Sequence, residues 1–421
     1  MRIALFDHDD VFEDFYPHYG VDQRTFATHW ADTGVHAITT VLQRAVGDVT
    51  WYGQSLAPEI DELVHSVVGC RVKMIQSSSL HRLMWRMFYL GHGAWRWRKR
   101  YRAFATVASY ASPASPALLR VLRHDRPDVL FVCSYSSGRF DVLLMLAKVL
   151  NVPLIAFHAG GEPDEYLGKR IRGWTIPRAD MFIVSSEAER TMLMTRYAVR
   201  AERLALILTP IDTARFRPMN RAAACRIADL DERRRYVLFV GRLADQMKRV
   251  SALIRAFARL VPQHPDADLL IVGEGPDGER LRRIATKHAP GRVRFLGWRS
   301  GPDALAPLYN AAECLALPSR REGFPTVVGE AMACGTPVLA SRVGGVGEMV
   351  IDGETGWLVP PCDDGALAAR LALVLESRDT LAAMRPRARK MAEARVSPEM
   401  VGQALADCFG GVLARAASQE G

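Results

Sequence analysis

Two glutamates in the second half of the chain have the spacing and setting of a site for a phosphorylated, hydroxyl-rich ligand. Glu322 and Glu330 are separated by seven residues in the segment CLALPSRREGFPTVVGEAMACGTPVLASRVGGVGEMV. An apolar run that we predict to be a strand precedes Glu322, and a helix is predicted to begin at Pro325 or Thr326, with Thr326 as its capping residue. The amides and the positive dipole end of that helix can bind a phosphate, and carboxylates can accept hydrogen bonds from sugar hydroxyls. The segment therefore predicts a phosphate cradle between two hydroxyl-binding carboxylates.

Two cations follow another predicted strand, in the string VLFVGRLADQMKR. The strand ends at Gly241, and Arg242 and Lys248 follow within seven residues. Ligands of open α/β sheets bind beyond the carboxyl ends of the strands, where glycine allows the backbone to approach closely. Arginine can hold a diphosphate through two parallel hydrogen bonds, and lysine can hold it as a point charge. A solvated helix start is the alternative for this segment taken alone.

Two further glycine-containing turns are less specific. The string LLIVGEGPDGERL places Gly273, Gly275 and Gly278 around a turn, but it lacks the GxGxxG spacing of a dinucleotide-binding loop, and an ordinary turn is the favoured interpretation. Another predicted strand ends at Gly344–Gly345, and for Glu348 beyond it we favour a surface side chain.

The elements that must position these residues follow an α/β pattern. Short apolar runs, apolar on both faces, alternate with helical patterns along almost the whole chain, which favours parallel sheets covered by helices. A charged stretch over 216–235 predicts a linker between a first domain, 1–215, and a second domain, 236–396, with a helix over 397–421. The predicted strands are Arg2–Phe6, Asp128–Cys133, Pro153–Phe157, Met181–Val184, Leu204–Ile207, Tyr236–Val240, Leu269–Val272, Arg294–Leu296, Cys314–Leu317 and Pro337–Ala340.

The composition is that of a folded protein of two or three domains. The chain has 421 residues, of which 49% are hydrophobic and 24% charged, and this excludes disordered and collagen-like classes. Seven scattered cysteines without a CxxC pair disfavour a disulfide framework or a zinc knuckle. The first residues lack the apolar core of a signal peptide, and no apolar run reaches the roughly 18 residues of a membrane span. We therefore expect a cytoplasmic protein.

The net charge of +9 is concentrated in one region. Residues 63–124 contain eleven Lys or Arg and no Asp or Glu, and within 81–102 seven basic residues interleave with aromatic ones in HRLMWRMFYLGHGAWRWRKRYR. Basic residues with interfacial aromatics suit an anionic membrane surface. Single-stranded nucleic acid is one alternative, and a basic surface helix whose aromatics face the domain's own core is another.

Taken together, these strings resemble the donor-binding signature of the retaining glycosyltransferases of family 4. The pattern PS-x-x-EGF…EAMA-x-G-x-PV is preceded by GRL…K, VGEGP and RVRFLGW and followed by GG and DGETGWLVPP, in the family's order over residues 241–361. The first domain is matched more loosely, by AFHAGG, ADMFIVSSEAER and TPIDTARFRP.

The resemblance implies a GT-B architecture. Two Rossmann-like domains with parallel sheets would face a central cleft, and the helix over 397–421 would cross back to the first domain. A UDP- or GDP-linked sugar would bind as co-substrate in the second domain and the acceptor in the first, without a further cofactor.

The resemblance also implies roles for individual residues. Arg242 and Lys248 would hold the donor diphosphate, and Glu322 would bind the hydroxyls of the transferred sugar. His158 matches a histidine near the anomeric carbon, although a lone histidine at a strand end is more often structural. The remaining implied donor contacts are Gly241, Gly273, Gly297, Trp298, Gly323, Phe324, Thr326 and Glu330, with Glu330 at the ribose and Gly297 and Trp298 at the base.

We therefore expect a retaining glycosyltransferase that acts in the assembly of cell-surface polysaccharide or glycolipid. No DxD-like pair stands at a suitable strand exit, so a metal site is not indicated, and cations with a helix N-terminus would stabilise the leaving diphosphate. The sugar-nucleotide signature ranks a membrane surface with a lipid-linked acceptor above nucleic acid. The alternatives are a catalytically silent sugar-nucleotide-binding scaffold, and an epimerase or phosphorylase on the same fold.

The first strand departs from the family pattern. Many members have a Gly-Gly loop after it, whereas this chain has an acidic and aromatic stretch, Asp7–Tyr19, and then only Gly34 before a predicted helix. The resemblance therefore implies nothing about how the acceptor is recognised.

Overall fold

The chain forms two compact α/β units. The computed structural model describes residues 1–7, 11–15, 20–29, 34–88, 106–158 and 168–420. The first unit comprises Met1–Ser185, Glu189–Ile207 and Gly402–Gly421, and the second comprises Ser186–Ala188 and Leu208–Val401. Three sequence features extend outside the described residues: the basic and aromatic string beyond Phe88, the string AFHAGG beyond His158, and parts of Asp7–Tyr19.

The first unit is built on an eight-stranded sheet. Its strands are β1 Arg2–Phe6, β2 Asp48–Ser55, β3 Glu62–Val64, β4 Arg71–Gln76, β5 Val129–Val132, β6 Leu154–Phe157, β7 Met181–Val184 and β8 Leu204–Leu206. Their order in the sheet is β3-β4-β2-β1-β5-β6-β7-β8. All neighbours are parallel except β3 and β4, and Ile3 at the centre aligns with Val49 on one side and Val129 on the other.

Helices cover this sheet. They are α1 Phe12–Phe15, α2 Gln23–Thr28, α3 Gly34–Ala45, α4 Ser79–Phe88, α5 Pro116–Asp125, α6 Gly138–Leu150, α7 Lys169–Thr175 and α8 Glu187–Tyr197, with 3₁₀ turns at Ile176–Arg178 and Ala201–Arg203. Asp22 caps α2 by accepting a hydrogen bond from the Thr25 amide at 2.6 Å. Between helices and sheet lies an apolar core that includes the fully buried rings of Phe140 and Phe182.

The second unit is built on a six-stranded, fully parallel sheet. Its strands are β9 Arg235–Val240, β10 Ala267–Val272, β11 Val293–Phe295, β12 Cys314–Leu317, β13 Val338–Ser341 and β14 Gly356–Val359. Their order is β11-β10-β9-β12-β13-β14, and every neighbouring pair is parallel. Every residue of β9, β10, β12 and β13 is buried, as expected for strands with helices on both faces.

Helices alternate with the strands of the second sheet and continue to the end of the chain. They are α9 Arg221–Ile227, α10 Asp245–Lys248, α11 Val250–Leu260, α12 Gly278–His288, α13 Pro302–Ala311, α14 Thr326–Ala333, α15 Asp364–Glu376, α16 Arg378–Val396 and α17 Pro398–Glu420, with a 3₁₀ turn at Gly344–Glu348. Helix α17 belongs to the first unit from Gly402 onward, where the Phe409 ring lies 5.7 Å from the ring of Phe131.

The α/β class with parallel sheets, expected from the sequence, is confirmed. Each of the ten predicted strands is present, with end points displaced by two residues or fewer. Strands β2, β3, β4 and β14 were not predicted. The stretch 216–235, for which the sequence predicts a linker, contains helix α9, and Ala224 and Cys225 of that helix are fully buried in the second core.

No helix among the described residues is both long enough and apolar enough to cross a membrane.

Candidate active site at the carboxyl edge of the second sheet

The loops that leave β9, β10 and β11 are hydrogen-bonded to one another. The Leu243 amide donates to the Glu274 carbonyl at 2.8 Å, and the Gly273 amide donates to the Gly297 carbonyl at 2.8 Å. Because all strands of this sheet are parallel, the loops leave the same edge, and these bonds join them into one continuous surface.

The loops that leave β12 and β13 join the same surface. The Arg320 amide donates to the Met247 carbonyl at 2.7 Å, and the Gly345 amide donates to the Gly323 carbonyl at 2.6 Å. The segments singled out in the sequence therefore meet at one edge, although about 100 residues separate Gly241 from Gly345 in the chain.

Glycine is required at two positions of this surface. Gly273 has a φ of +130°, and a β-carbon there would overlap the carbonyl oxygen of Gly241. Gly344 has a φ of +50°, and a β-carbon there would overlap the carbonyl oxygens of Glu322 and Gly323. Both positions combine a left-handed backbone with a close approach of two loops, which only glycine accommodates.

Lys248 and Glu322 form the central polar pair of the site. The Lys248 Nζ donates to Oε1 of Glu322 at 2.7 Å and to Oε2 at 2.9 Å. The Ser319 hydroxyl donates to Oε1 at 2.5 Å. The carboxylate side chain is only 9% exposed and the lysine side chain 21%. The pair is thus held in a fixed geometry by loops from two different strands.

Arg242 is presented differently. Its side chain is exposed, and within the described part of the chain its guanidinium has no hydrogen bond or ion pair. Its five N–H donors are therefore available to an anionic ligand at the same loop.

Helix α14 begins at Thr326, with Pro325 at the N-cap position and no side chain capping the helix. The expectation that Thr326 caps the helix was therefore wrong, because Thr326 is already the first helical residue. The uncapped first turn leaves backbone amides and the positive end of the dipole for a ligand. Next to it, Phe324 is buried and packs into the core, so that its backbone, and not its ring, faces this turn.

Glu330 lies on the second turn of α14, and its carboxylate accepts a hydrogen bond from the neighbouring helix α13. The Tyr309 hydroxyl of α13 donates to its Oε2 at 2.8 Å. Burial raises the pKa of Glu330, while hydrogen bonds from Tyr309 and Thr326 lower it in part. The pKa of Tyr309 is raised well above its usual value, by burial first and then by the carboxylate, so the phenol stays a donor.

Gly297 and Trp298 lie beyond β11 on the same surface. Gly297 has a φ of +71°, and its carbonyl is the acceptor for Gly273 described above. The Trp298 side chain is 55% exposed, which leaves an aromatic face open to a planar ligand.

His158 belongs to the first unit, at the carboxyl end of β6. It is buried, and its ring centroid lies 4.9 Å from that of Tyr135. Tyr135 is itself fixed, because its hydroxyl donates to Oε1 of Glu189 at 2.6 Å. The Ser185 amide donates to the other oxygen of Glu189 at 3.1 Å.

Sequence reasoning missed two residues of the site. Ser319 stands in the quoted pattern, three residues before Glu322, but its role as a donor to that carboxylate needed the structure. Tyr309 lies 21 residues before Glu330 on another helix, and no local spacing in the sequence links the two.

No group of three or more His, Cys, Asp or Glu in the described part of the chain could hold a metal ion.

Known protein families match both units. The profile described as glycosyl transferases group 1 matches residues 221–391, and the profile described as glycosyltransferase family 4 matches residues 32–215.

Curated relatives include the D-inositol 3-phosphate glycosyltransferase of Rhodococcus jostii, which is 34% identical over 258 residues, 59% of this chain and 56% of that protein. The protein of the same name from Mycolicibacterium vanbaalenii is 37% identical over 248 residues, 55% of this chain and 52% of that protein. The chain thus spans little more than half the length of the curated relatives it matches.

Solved structures resemble nearly the whole chain. HepE of Anabaena, crystallised with UDP, matches with a TM-score of 0.73 at 19% identity, over 98% of this chain and 100% of that one. Sucrose-phosphate synthase from Thermosynechococcus elongatus matches with a TM-score of 0.70 at 23% identity, over 99% and 100%. At these identities the likeness establishes the fold, two Rossmann-like domains of the GT-B type.

The two profiles together cover most of both units, and the strings at the carboxyl edge of the second sheet have the order and spacing of the family signature. The chain belongs to the group 1, family 4 glycosyltransferases.

Proposed function

We propose that the protein is a retaining glycosyltransferase that moves a sugar from a nucleotide sugar to a glycan or lipid-linked acceptor. The observation that carries this proposal is the Lys248–Glu322 pair beside the uncapped N-terminus of α14, with Glu330 on the next turn. This arrangement offers a diphosphate site flanked by a carboxylate on each side.

The donor is proposed to lie along the carboxyl edge of the second sheet. Arg242 and the first-turn amides of α14 bind the diphosphate together with Lys248. Glu322 accepts hydrogen bonds from the transferred sugar and Glu330 from the ribose, and the base stacks near Trp298. Structures of Anabaena HepE with UDP and with UDP-glucose support testing UDP sugars first.

The proposed transfer needs no protein nucleophile. The bond between the anomeric carbon and the diphosphate oxygen breaks, and the nucleoside diphosphate leaves with the bonding electrons. The acceptor hydroxyl oxygen bonds to the anomeric carbon on the same face, and its proton passes to the leaving phosphate oxygen. The charge that develops on the phosphate is stabilised by Arg242, Lys248 and the α14 amides, so that no metal ion is required.

Glu322 is proposed to bind and orient the sugar. Its carboxylate is engaged by Lys248 and Ser319, which suits a fixed hydrogen-bond acceptor and not a free nucleophile. His158 is proposed to lie near the anomeric carbon, where its backbone or ring would contact the sugar.

The acceptor is proposed to be reached at an anionic membrane surface on the cytoplasmic side, in the assembly of cell-surface polysaccharide or glycolipid. Helix α4 contains the first residues of the basic and aromatic string 81–102. Its Leu80 and Leu83 have 59% and 56% of their surface exposed to solvent. Arg82 and Arg86 lie on the same helix, while His81 is buried. Exposed leucines flanked by arginines are suited to the interface of an anionic bilayer.

A donor panel tests the proposed function. The protein is incubated with UDP- and GDP-linked sugars, and release of the nucleoside diphosphate is measured with and without EDTA. Slow release from one donor is expected, unaffected by EDTA. Glu322→Ala should reduce the rate by about 100-fold or more, whereas Glu279→Ala, at an exposed glutamate of α12, should leave it unchanged.

Other outcomes would contradict the proposal. Binding without turnover across donors and acceptors indicates a silent scaffold, and conversion of the donor sugar without transfer indicates an epimerase. If a product forms, NMR of its anomeric proton decides between retention and inversion.

A further inference from the structure

Tyr309 occupies an unusual position beneath the candidate site. It lies on α13, is fully buried in the core of the second unit, and its ring packs edge-on against Phe216 at 6.1 Å. Its backbone is fixed as well, because its carbonyl accepts a hydrogen bond from the Thr336 hydroxyl at 2.7 Å. The phenol can therefore move little, and its hydroxyl marks a fixed point under α14.

The Tyr309 hydroxyl donates a hydrogen bond to the carboxylate of Glu330. The 2.8 Å bond to Oε2 and a further hydrogen bond from the Thr326 side chain give the carboxylate two internal donors. A carboxylate has about four acceptor positions, so it can still accept a hydrogen bond from a ligand. Glu330 itself is only partly buried, so a ligand can reach it. A carboxylate with one oxygen tied to a buried phenol presents its second oxygen in a defined direction.

We infer that Tyr309 is a positioning residue for the nucleotide: it fixes Glu330 as an ionised acceptor for a ribose hydroxyl, and so lets the site distinguish ribonucleotides from deoxyribonucleotides. This inference rests on the proposed function and adds a residue behind the ribose subsite that gives that subsite its geometry. A ribose hydroxyl would donate one more hydrogen bond to this carboxylate, whereas a 2′-deoxyribose would withhold that donor from a partly buried charge, which is costly.

The surroundings of Glu330 make its ionisation depend on this bond. Burial raises its pKa, and the bond from Tyr309 is the first contribution that lowers it. A further titratable group beside it is Cys334, at the end of α14, whose pKa burial raises to about 12. The guanidinium of Arg389, on α16, ends on the carbonyl of Ala333 at 2.6 Å. Without the phenol, the carboxylate loses its principal stabilising donor.

The experiment compares Tyr309→Phe with a matched control. Tyr236 is another fully buried tyrosine of the second unit, and it lies on β9, outside the site. Its hydroxyl donates to the carbonyl of Asp231 at 3.0 Å. Tyr236→Phe therefore removes the same atom from a comparable environment. The ligands are the nucleoside diphosphate that the wild type binds, UDP or GDP, and its 2′-deoxy form, titrated by calorimetry between pH 5 and 8, with melting temperatures recorded for each variant.

The expected result is specific to Tyr309. Tyr309→Phe should weaken binding of the ribonucleotide by about tenfold, bring the ribo and deoxy affinities closer together, and shift the acid-side loss of binding to higher pH. Tyr236→Phe should bind like the wild type. In a Glu330→Gln background, which has no carboxylate to titrate, Tyr309→Phe should produce no shift of the pH profile.

Equal affinity and discrimination in Tyr309→Phe and the wild type would overturn the inference. An equal loss of nucleotide affinity in both tyrosine variants would also overturn it, because such a loss would reflect reduced stability and not the positioning of Glu330. If the wild type binds the nucleotides but shows no turnover, the ribose subsite is still supported and the proposed transfer fails. A wild type that binds no nucleoside diphosphate at all overturns both.

Discussion

The ammonium of Lys248 lies within hydrogen-bonding distance of both carboxylate oxygens of Glu322, at 2.7 and 2.9 Å, although the two residues are 74 positions apart in the chain. The cation proposed to hold the diphosphate and the carboxylate proposed to hold the sugar are thus paired before any donor binds. The pair neutralises a carboxylate that is only 9% exposed. In the proposed mode of donor binding, the pair would also place the diphosphate and the sugar at adjacent points of one site.

This pair predicts a strong coupling between the two residues. Lys248→Met and Glu322→Gln should each lower the free energy of unfolding by about 1–3 kcal/mol, because each leaves a partly buried group with fewer partners. The double variant should lose at least about 1 kcal/mol less than the sum of the single losses. Urea denaturation of the four proteins measures the coupling.

An exposed pair of the same unit provides the control. Arg215 and Asp303 form an ion pair at 2.9 Å with 54% and 92% of their side chains exposed. The cycle of Arg215→Met and Asp303→Asn should give a coupling near zero. Equal coupling in both cycles would contradict the prediction that burial makes the Lys248–Glu322 pair special.

The glycine at position 344 should be intolerant of a side chain. Gly344→Ala places a β-carbon against the carbonyls of Glu322 and Gly323 at a φ of +50°. The free energy of unfolding should fall by at least about 2 kcal/mol, and nucleotide binding should weaken because the loop carrying Glu322 must move. Gly347→Ala, three residues further in the same 3₁₀ turn and with open space around it, should change stability by less than about 0.5 kcal/mol. Similar losses in the two variants would contradict the close-approach argument.

Most of the strands that the sequence predicts are buried on both faces, although the predicted β8 and β11 are partly exposed and the missed β14 is buried throughout. Cys314–Leu317 and Met181–Val184 were predicted with their observed ends, because such strands are short runs of apolar residues between turns. Strand β4 was missed because Arg71 and Lys73 alternate with apolar residues at the partly exposed end of the sheet. Strand β2 was missed because its second half, YGQS, is polar although it is largely buried. Polar side chains there are paired internally, and a hydropathy pattern does not show that.

The sequence motifs predict which strand exits form the candidate site, but not the hydrogen bonds within it. Glycines, cations and glutamates at strand exits can be identified from sequence because the parallel sheet brings those exits to one edge. The pairing of Lys248 with Glu322 and of Tyr309 with Glu330 depends on which loops and helices touch. Those contacts are long-range, and local spacing carries no information about them.

Helix α4 should contribute to membrane binding through its exposed leucines. In flotation assays with vesicles rich in phosphatidylserine or phosphatidylglycerol, the wild type should float at low salt and less at high salt. Leu80→Ser with Leu83→Ser should reduce flotation several-fold, because both side chains are more than half exposed and their removal costs interfacial burial.

A second exposed apolar pair of the first unit controls for general hydrophobicity. Met145 and Val149 lie on α6 with 46% and 61% of their surface exposed. Met145→Ser with Val149→Ser should leave flotation unchanged. Absence of wild-type flotation at low salt, or equal losses in the two double variants, would refute a membrane role for α4.

The first unit should lose stability on mild acidification because of His36. This side chain is 2% exposed, and its ring lies 4.8 Å from that of Trp51 and 5.6 Å from that of His65. Burial lowers the pKa of His36 to about 4 from 6.5. Between these two values the unfolded chain binds a proton that the folded chain does not, so the free energy of unfolding falls as the pH is lowered through that window, by up to about 3 kcal/mol.

Replacing the ring isolates its share of that pH dependence. His36→Asn is expected to be less stable than the wild type at pH 7 but to lose less stability between pH 6.5 and 4, because one depressed titration is gone. His81, whose pKa burial also lowers to about 4, is still present in this variant, so part of the pH dependence of the free energy of unfolding should persist. His124→Asn, at an exposed position on α5, should leave the pH dependence of the free energy of unfolding unchanged. If His36→Asn and the wild type lose stability in parallel over this range in urea titrations, burial of a neutral imidazole is not what makes the first unit acid-sensitive.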